Sequence, residues 1–319
     1  MMPVQRRGER MPIKNFLTQG EALSLNNADK AHQNIQAGTA LRTALMGNIG
    51  WKDDERIYVD GQTGSDYNTG ESWDDAFATI QAGLNKARYV PGTTDIADSK
   101  NRQRYVFVYP GVYNEQLLWS GYNIHLIGLS FNVGNVDYGV VVNKDAAVTT
   151  TAVMGVTGAG IEIANIQFHN EAAIPTLFIP TPGDGCWIHD CFFDQDDTNA
   201  TIAIQITDCR NSIIENNRIF DFQTAGIQVG SNGTWFRNSI IRNNHIAGST
   251  GIGIYVPTGT IAGAADGSLI KSNTIVGTIT TGIHQQAAGA YVLIADNWIQ
   301  AGTAITDAGS GDADNHTAS

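Results

Sequence analysis

IANIQF (Ile163–Phe168), IHDCFF (Ile188–Phe193), IENNRI (Ile214–Ile219), IRNNHI (Ile241–Ile246), IKSNTI (Ile270–Ile275) and IADNWI (Ile294–Ile299) are six versions of one phrase. The leading Ile recurs after 25, 26, 27, 29 and 24 residues. Self-similarity at such a period marks a solenoid, in which each repeat contacts only its neighbours. The phrase is too short for a helix, and its β-branched residues suit a strand. A second phrase follows in most repeats: AIQI (Ala203–Ile206), GIQV (Gly226–Val229), GIGI (Gly251–Ile254), GIH (Gly282–His284) and Ala304-Ile305. Its alternation sends Ile and Val to one side and Gln205, Gln228, Gly253, His284 and then Thr306 to the other. A single repeat cannot bury its apolar face. Stacking at roughly 4.8 Å buries the Ile columns in one core.

Three further columns follow from the first phrase. Three residues after each leading Ile stand Ile166, Cys191, Asn217, Asn244, Asn273 and Asn297. Four stacked Asn can hydrogen-bond along the solenoid, and Asn tolerates the left-handed backbone of a sharp turn. Just before each Ile stand Glu162, Trp187, Ile213, Ile240, Leu269 and Leu293. If the Ile points inward, this column points outward, and five apolar residues in a row form a patch that needs cover. The expectation is a homotrimer packed through Trp187, Ile213, Ile240, Leu269 and Leu293, the alternative being cover by the chain's own loops. Just after each Ile stand Ala164, His189, Glu215, Arg242, Lys271 and Ala295, with Glu215 and Arg242 read as a surface ion pair of little energetic worth.

The repeats and the Asn column resemble the right-handed parallel β-helix of the pectin-lyase-like superfamily. Two further motifs carry the resemblance. Gly64, Asp66, Asn68 and Gly70 followed by Ala76-Phe77-Ala78-Thr79-Ile80 look like the entry of such proteins, where a helix plugs the open end of the solenoid. Val106, Val108, Pro110, Gly111, Tyr113 and Glu115 resemble a first coil. The fold implied is all-β, a right-handed parallel β-helix of about eight or nine coils, roughly 40 Å long. It has an N-terminal arm (1–50), a β-helix domain (51–305) with a helix cap at about 73–89, and a polar tail (306–319) read as disordered or as a blunt cap. Ser72-Trp73-Asp74-Asp75 reads as the capping box, with Phe77, Ile80, Leu84 and Ala87 on the buried face. In the arm, Lys30 to Met46 has the composition of a helix. Asp60, Asp66, Asn68 and Glu71 read as turn chemistry rather than a calcium loop.

The fold is shared by lyases, hydrolases, esterases and phage spikes, so function must come from a site. A glycosidase needs two carboxylates, one protonated and one ionised. The outward residues of the second phrase include none. The acids that remain are Asp194, Asp196, Asp197 and Asp221 in loops, with Asp194 and Asp221 expected to stack in successive coils. His169, His189, His245 and His284 lack metal-ligand spacing and read as surface residues, so no metal or cofactor is expected. A net charge of −12 argues against nucleic acid and anionic membrane as partners. No apolar run is long enough to span a bilayer, and the N-terminus lacks the apolar core of a secretory signal. Cys186, Cys191 and Cys209 give no disulfide framework.

Of the families sharing this fold, the chain resembles bacteriophage spike, tail and capsid-decoration proteins most. The resemblance implies a non-enzymatic virion protein, anchored to other virion proteins by its arm and able to bind host-surface glycan. The alternative is a tailspike-type polysaccharide depolymerase, a glycoside hydrolase or lyase, using the four acids.

Overall fold

The structure, a computed structural model, describes residues 56–88, 103–129, 139–144, 152–180, 183–195, 200–230, 234–248, 250–257, 267–286, 292–307, 312–313 and 316–317. The chain divides into two units, Met1–Lys52 and Asp53–Ser319, and every described residue lies in the second. The arm and its expected helix therefore fall outside the described residues.

Three long sheets run the length of the solenoid, and every ladder in them is parallel. Sheet A has ten strands, from Arg56–Val59 to Asp312–Ala313, and includes the start of each Ile phrase. Sheet B has nine, from Gly111–Tyr113 to His316–Thr317, and includes the end of each phrase. Sheet C has eight, from Leu117–Tyr122 to Thr303–Asp307, and includes the second phrase. A short three-stranded sheet (Gly183–Asp184, Cys209–Arg210, Phe236–Arg237) lies between C and A along the chain.

Each sheet supplies one inward stack. Ile163, Ile188, Ile214, Ile241, Ile270 and Ile294 come from sheet A. Phe168, Phe193, Ile219, Ile246, Ile275 and Ile299 come from sheet B, and Ile204, Ile227, Ile254 and Ile283 from sheet C. All are essentially fully buried in one cluster. Each such side chain is worth about 1.5–3 kcal/mol of burial, and a coil obtains it only with a neighbour on either side.

The turn from sheet A to sheet B explains the periodic Asn. Asn165, Asp190, Asn216, Asn243, Ser272 and Asp296 all have φ between 53 and 57°. The left-handed residue is thus the one before the ladder residue, not the ladder residue itself. The ladder side chains are buried and continuous. Cys191 N donates to Asn217 Oδ1, Asn217 N to Asn244 Oδ1, Asn244 N to Asn273 Oδ1 and Asn273 N to Asn297 Oδ1, each at 3.0 Å. A second ladder was not foreseen. Cys186 N donates to Ser212 Oγ (3.0 Å), Ser212 N to Ser239 Oγ (3.1 Å) and Ser239 N to Ser268 Oγ (3.3 Å).

At the entry, helix α1 (Ile80–Arg88) buries Ile80, Gly83, Leu84 and Ala87. It starts at Ile80 rather than near Trp73. Ser72 instead precedes a single 3-10 turn (Trp73–Asp75) and its side chain makes no cap bond. The start of α1 is held by Thr79 and Glu115. Thr79 Oγ1 accepts from Ala82 N at 3.2 Å, and the two Glu115 oxygens accept from Ile80 N (2.8 Å) and Gln81 N (2.9 Å). A carboxylate brought by the chain 35 residues away thus replaces the local capping box. Asp60 makes a turn bond, accepting from Gln62 N, whereas Asp66 accepts from the distant Ala78 N and Thr79 N just ahead of helix α1.

In the tail, Asp312–Ala313 pairs with Ile294–Ala295 and His316–Thr317 pairs with Trp298–Ile299, adding a strand to sheet A and one to sheet B.

Candidate functional site

Outward columns give a solenoid its chemistry, and register decides their membership. On sheet C the column is Leu118, Gly155, Phe178, Gln205, Gln228, Tyr255, His284 and Thr306. Tyr255 stands where the sequence alignment placed Gly253. Gly253 faces the core: a Cβ there would lie 2.7 Å from Ile275 Cγ2. The second phrase of this coil is therefore Gly253–Val256, two residues beyond the GIGI alignment. The Tyr255 and His284 rings are 5.5 Å apart, and the Tyr255 hydroxyl donates to Gln286 Oε1 at 2.8 Å. Near the entry, Gly155 interrupts the column and leaves an open cavity of about 340 Å³ lined by Arg88, Leu118, Ser120, Thr157, Phe178 and Pro180, among others.

On sheet A the residues before the Ile pair in register as His125, Glu162, Trp187, Ile213, Ile240, Leu269 and Leu293. The column faces outward. Trp187 is 41% exposed and Leu293 48%, with Ile213, Ile240 and Leu269 half-buried between them. Beside it the sequence reading missed a polar network. Glu162 Oε2 lies 2.6 Å from His125 Nδ1, and Glu162 Oε1 lies 3.0 Å from His189 Nε2. His189 Nδ1 is 2.7 Å from Asp190 Oδ2. His125 Nε2 is buried without a hydrogen-bond partner among the described residues. Burial opposes the charge on Glu162, but bonds from His125 and His189 outweigh it and pull its pKa down to about 2. Glu215 is also more than half of a surface pair. It is 8% exposed, its Oε2 accepts from Arg242 Nε at 2.6 Å, and its Oε1 accepts from Trp187 Nε1 at 2.9 Å. Burial works against its charge, and Arg242 and Trp187 prevail, leaving its pKa lowered.

On sheet B, Asp194 stands opposite His169 and Phe220. Asp221 lies one residue further on, in a left-handed turn (φ 58°), so the two acids do not share a column. Asp196 and Asp197 lie outside the described residues. Asp194 Oδ2 is 3.3 Å from His169 Nδ1, and Glu171 Oε1 is 3.1 Å from His169 Nε2. The bond to Asp194, against the cost of burial and with help from Glu171, raises His169 to about 9. His169 is therefore charged at neutral pH and pairs with Asp194. Beside this pair is an aromatic patch that sequence reading also missed. Phe192 and Phe220 are 5.4 Å apart, and the Arg218 guanidinium lies 5.6 and 5.7 Å from their centroids.

Burial pushes the thiols of Cys186, Cys191 and Cys209 up to about 12, which makes them poor nucleophiles and ligands. Among the described residues no group of His, Cys, Asp or Glu is arranged to hold a metal ion. None of the described helices is long and apolar enough to cross a membrane.

Comparison with known proteins agrees with this architecture. The family model for the right-handed β-helix region matches residues 122–299, more than half of the chain, and the chain belongs to that family. No curated protein sequence matches it. Among solved structures it is similar to Escherichia coli ybhC (12% identity, 82% of this chain and 84% of that one, TM-score 0.55). It is similar to pectin methylesterase PemA from Erwinia chrysanthemi (12% identity, 82% and 89%, TM-score 0.52). It also overlaps the Dettilon tailspike protein (13% identity, 91% and 60%), at a TM-score of 0.35 too low to weigh. At these identities the likeness concerns the fold alone.

Proposed function

We propose that this protein is a non-enzymatic structural β-helix of a virion, a spike, tail or capsid-decoration protein that forms a homotrimer and projects a surface for host glycan. The observation that carries the reading is the uninterrupted outward row Trp187, Ile213, Ile240, Leu269 and Leu293. A row spanning five coils, roughly 19 Å at the strand spacing, is a contact surface rather than scattered exposure. The sheet C column supports a structural role. Its aromatic, amide and hydroxyl groups suit sugar binding, and it offers no carboxylate to act as acid, base or nucleophile. The arm (1–50) is assigned the anchoring role from its sequence alone.

The test joins mass to activity. Sedimentation of the full chain should give a trimer, and Ile240→Asp should reduce it to monomer. Incubation with bacterial surface polysaccharides should release no new reducing ends or unsaturated sugars. A monomeric wild type, or released fragments, would overturn the reading.

The tailspike-type depolymerase has one observation in its favour, the Asp194–His169–Glu171 grouping. Under that reading a measurable depolymerase activity would vanish in Asp194→Asn.

A further inference from the structure

His189 is the pivot of the network beside the apolar row. Its Nδ1 faces an oxygen of Asp190 and its Nε2 an oxygen of Glu162, at 2.7 and 3.0 Å. A neutral imidazole has one N–H, so only the imidazolium can donate to both carboxylates. The Trp187 ring stacks on His189 with centroids 4.0 Å apart and planes 25° from parallel. On its other side Trp187 donates to Glu215, which Arg242 neutralises. Trp187 is therefore held from two directions, and it is the first residue of the apolar row. Tryptophan is among the residue types enriched at interface hot spots.

The local charge balance singles out this face. A chain of net charge −12 repels its own copies. Here, however, Glu162, Asp190 and Glu215 are each bound to a base: His125 and His189, His189, and Arg242 respectively. The groups facing His189 are Glu162 from the preceding strand, Asp190 from its own turn, Glu215 from the following strand and, through Glu162, His125 from the strand before that.

We propose that the outer face of sheet A docks a second copy of this chain, and that protonation of His189 gates the contact. The imidazolium donates to both flanking carboxylates, offsets one of their two charges and fixes Trp187 in the position a neighbour packs against. This rests on the row being a contact between copies, and adds its control. Loss of the proton leaves two carboxylates facing one N–H, adds a negative charge per copy at the contact and loosens Trp187. Burial disfavours the charged ring, but Glu162 and Asp190 outweigh it, so the pKa of His189 is raised above the ordinary imidazole value. The contact is then fully formed below that ordinary value and is lost as pH rises through the raised one.

The experiment is sedimentation equilibrium of the full chain between about pH 6 and pH 9.5, a range that brackets a raised imidazole pKa. Wild type should associate at the low end and weaken roughly tenfold or more at the high end, as like charges meet. His189→Gln should associate weakly at both ends. Asp190→Asn, which keeps a residue tolerant of its left-handed turn (φ 53°), should move the midpoint to lower pH. Thermal unfolding of both variants controls for folding. Association that is strong and independent of pH, or a pH dependence unchanged in both variants, overturns the gating and leaves the structural reading standing. A monomer at every pH overturns both.

Discussion

Replacing Asn244 by Ala should open a local fault in the solenoid. The Asn244 side chain is 1% exposed. Its Oδ1 accepts from the backbone N and the Nδ2 of Asn217, and its Nδ2 donates to Ile214 O and Asn273 Oδ1, all at 3.0 Å. Truncation removes all four bonds. The Asn217 side chain keeps a bond to Ile188 O, so it is not fully orphaned. The Asn217 backbone N–H and the Ile214 carbonyl lose these partners in a site closed to water. Two such groups at about 1–3 kcal/mol each give a loss of about 2–6 kcal/mol. Urea unfolding followed by far-UV circular dichroism reads this as a lowered midpoint. Because repeats contact only their neighbours, hydrogen exchange should accelerate at the amides of Asn217 and Cys191 and much less at the entry helix. Gln228→Ala, on the outward column, should stay within about 0.5 kcal/mol. A loss under 1 kcal/mol for Asn244→Ala, or exchange that quickens evenly along the chain, would refute the ladder's role.

Glu115→Ala strips two amides of helix α1 of their acceptor and should cost about 1–2 kcal/mol in thermal unfolding, whereas Ser72→Ala should cost little. Gly253→Val forces bulk against the Gly282 carbonyl and Ile275 and should destabilise by about 1–3 kcal/mol or more, while Tyr255→Ala should be near neutral; the reverse order would contradict this register. The His169–Asp194 pair contributes stability that is complete below the ordinary imidazole pKa and is lost as pH rises through about 9. Asp194→Asn should return His169 toward its ordinary value in an NMR titration, and an unmoved His169 would contradict the pairing.

The legible part of the fold is the part that repeats. Ile163 through Ile294 recur at nearly constant spacing because each occupies the same inward place in successive coils, and the Asn column is tied to that spacing. The Glu162 network was hidden because one of its members lies before the regular repeats. Leu126 pairs with Ile163 across 37 residues, so the place of His125 beside Glu162 could not be found by period. Asp194 is the sixth residue after its leading Ile and Asp221 the seventh, so the register that pairs Ile188 with Ile214 sets Asp194 opposite Phe220 rather than Asp221. Gly253 was misjudged because a short G-I pattern fits two registers two residues apart, and only burial distinguishes them. The helix start moved because its cap is supplied by Glu115, a tertiary contact with no local signature. The serine ladder was readable in principle from Ser212, Ser239 and Ser268, which precede successive Ile phrases by a constant two residues.

The central claim is that copies of this chain meet through the outer face of sheet A. Ile240→Cys tests it most directly, since the three native cysteines are buried and their thiols are held in the protonated form. Under mild oxidation at micromolar concentration, Cys at 240 should form an intermolecular disulfide across the contact, while Thr157→Cys on sheet C should not. Linkage at 157 with none at 240, or none at either position, would contradict the account.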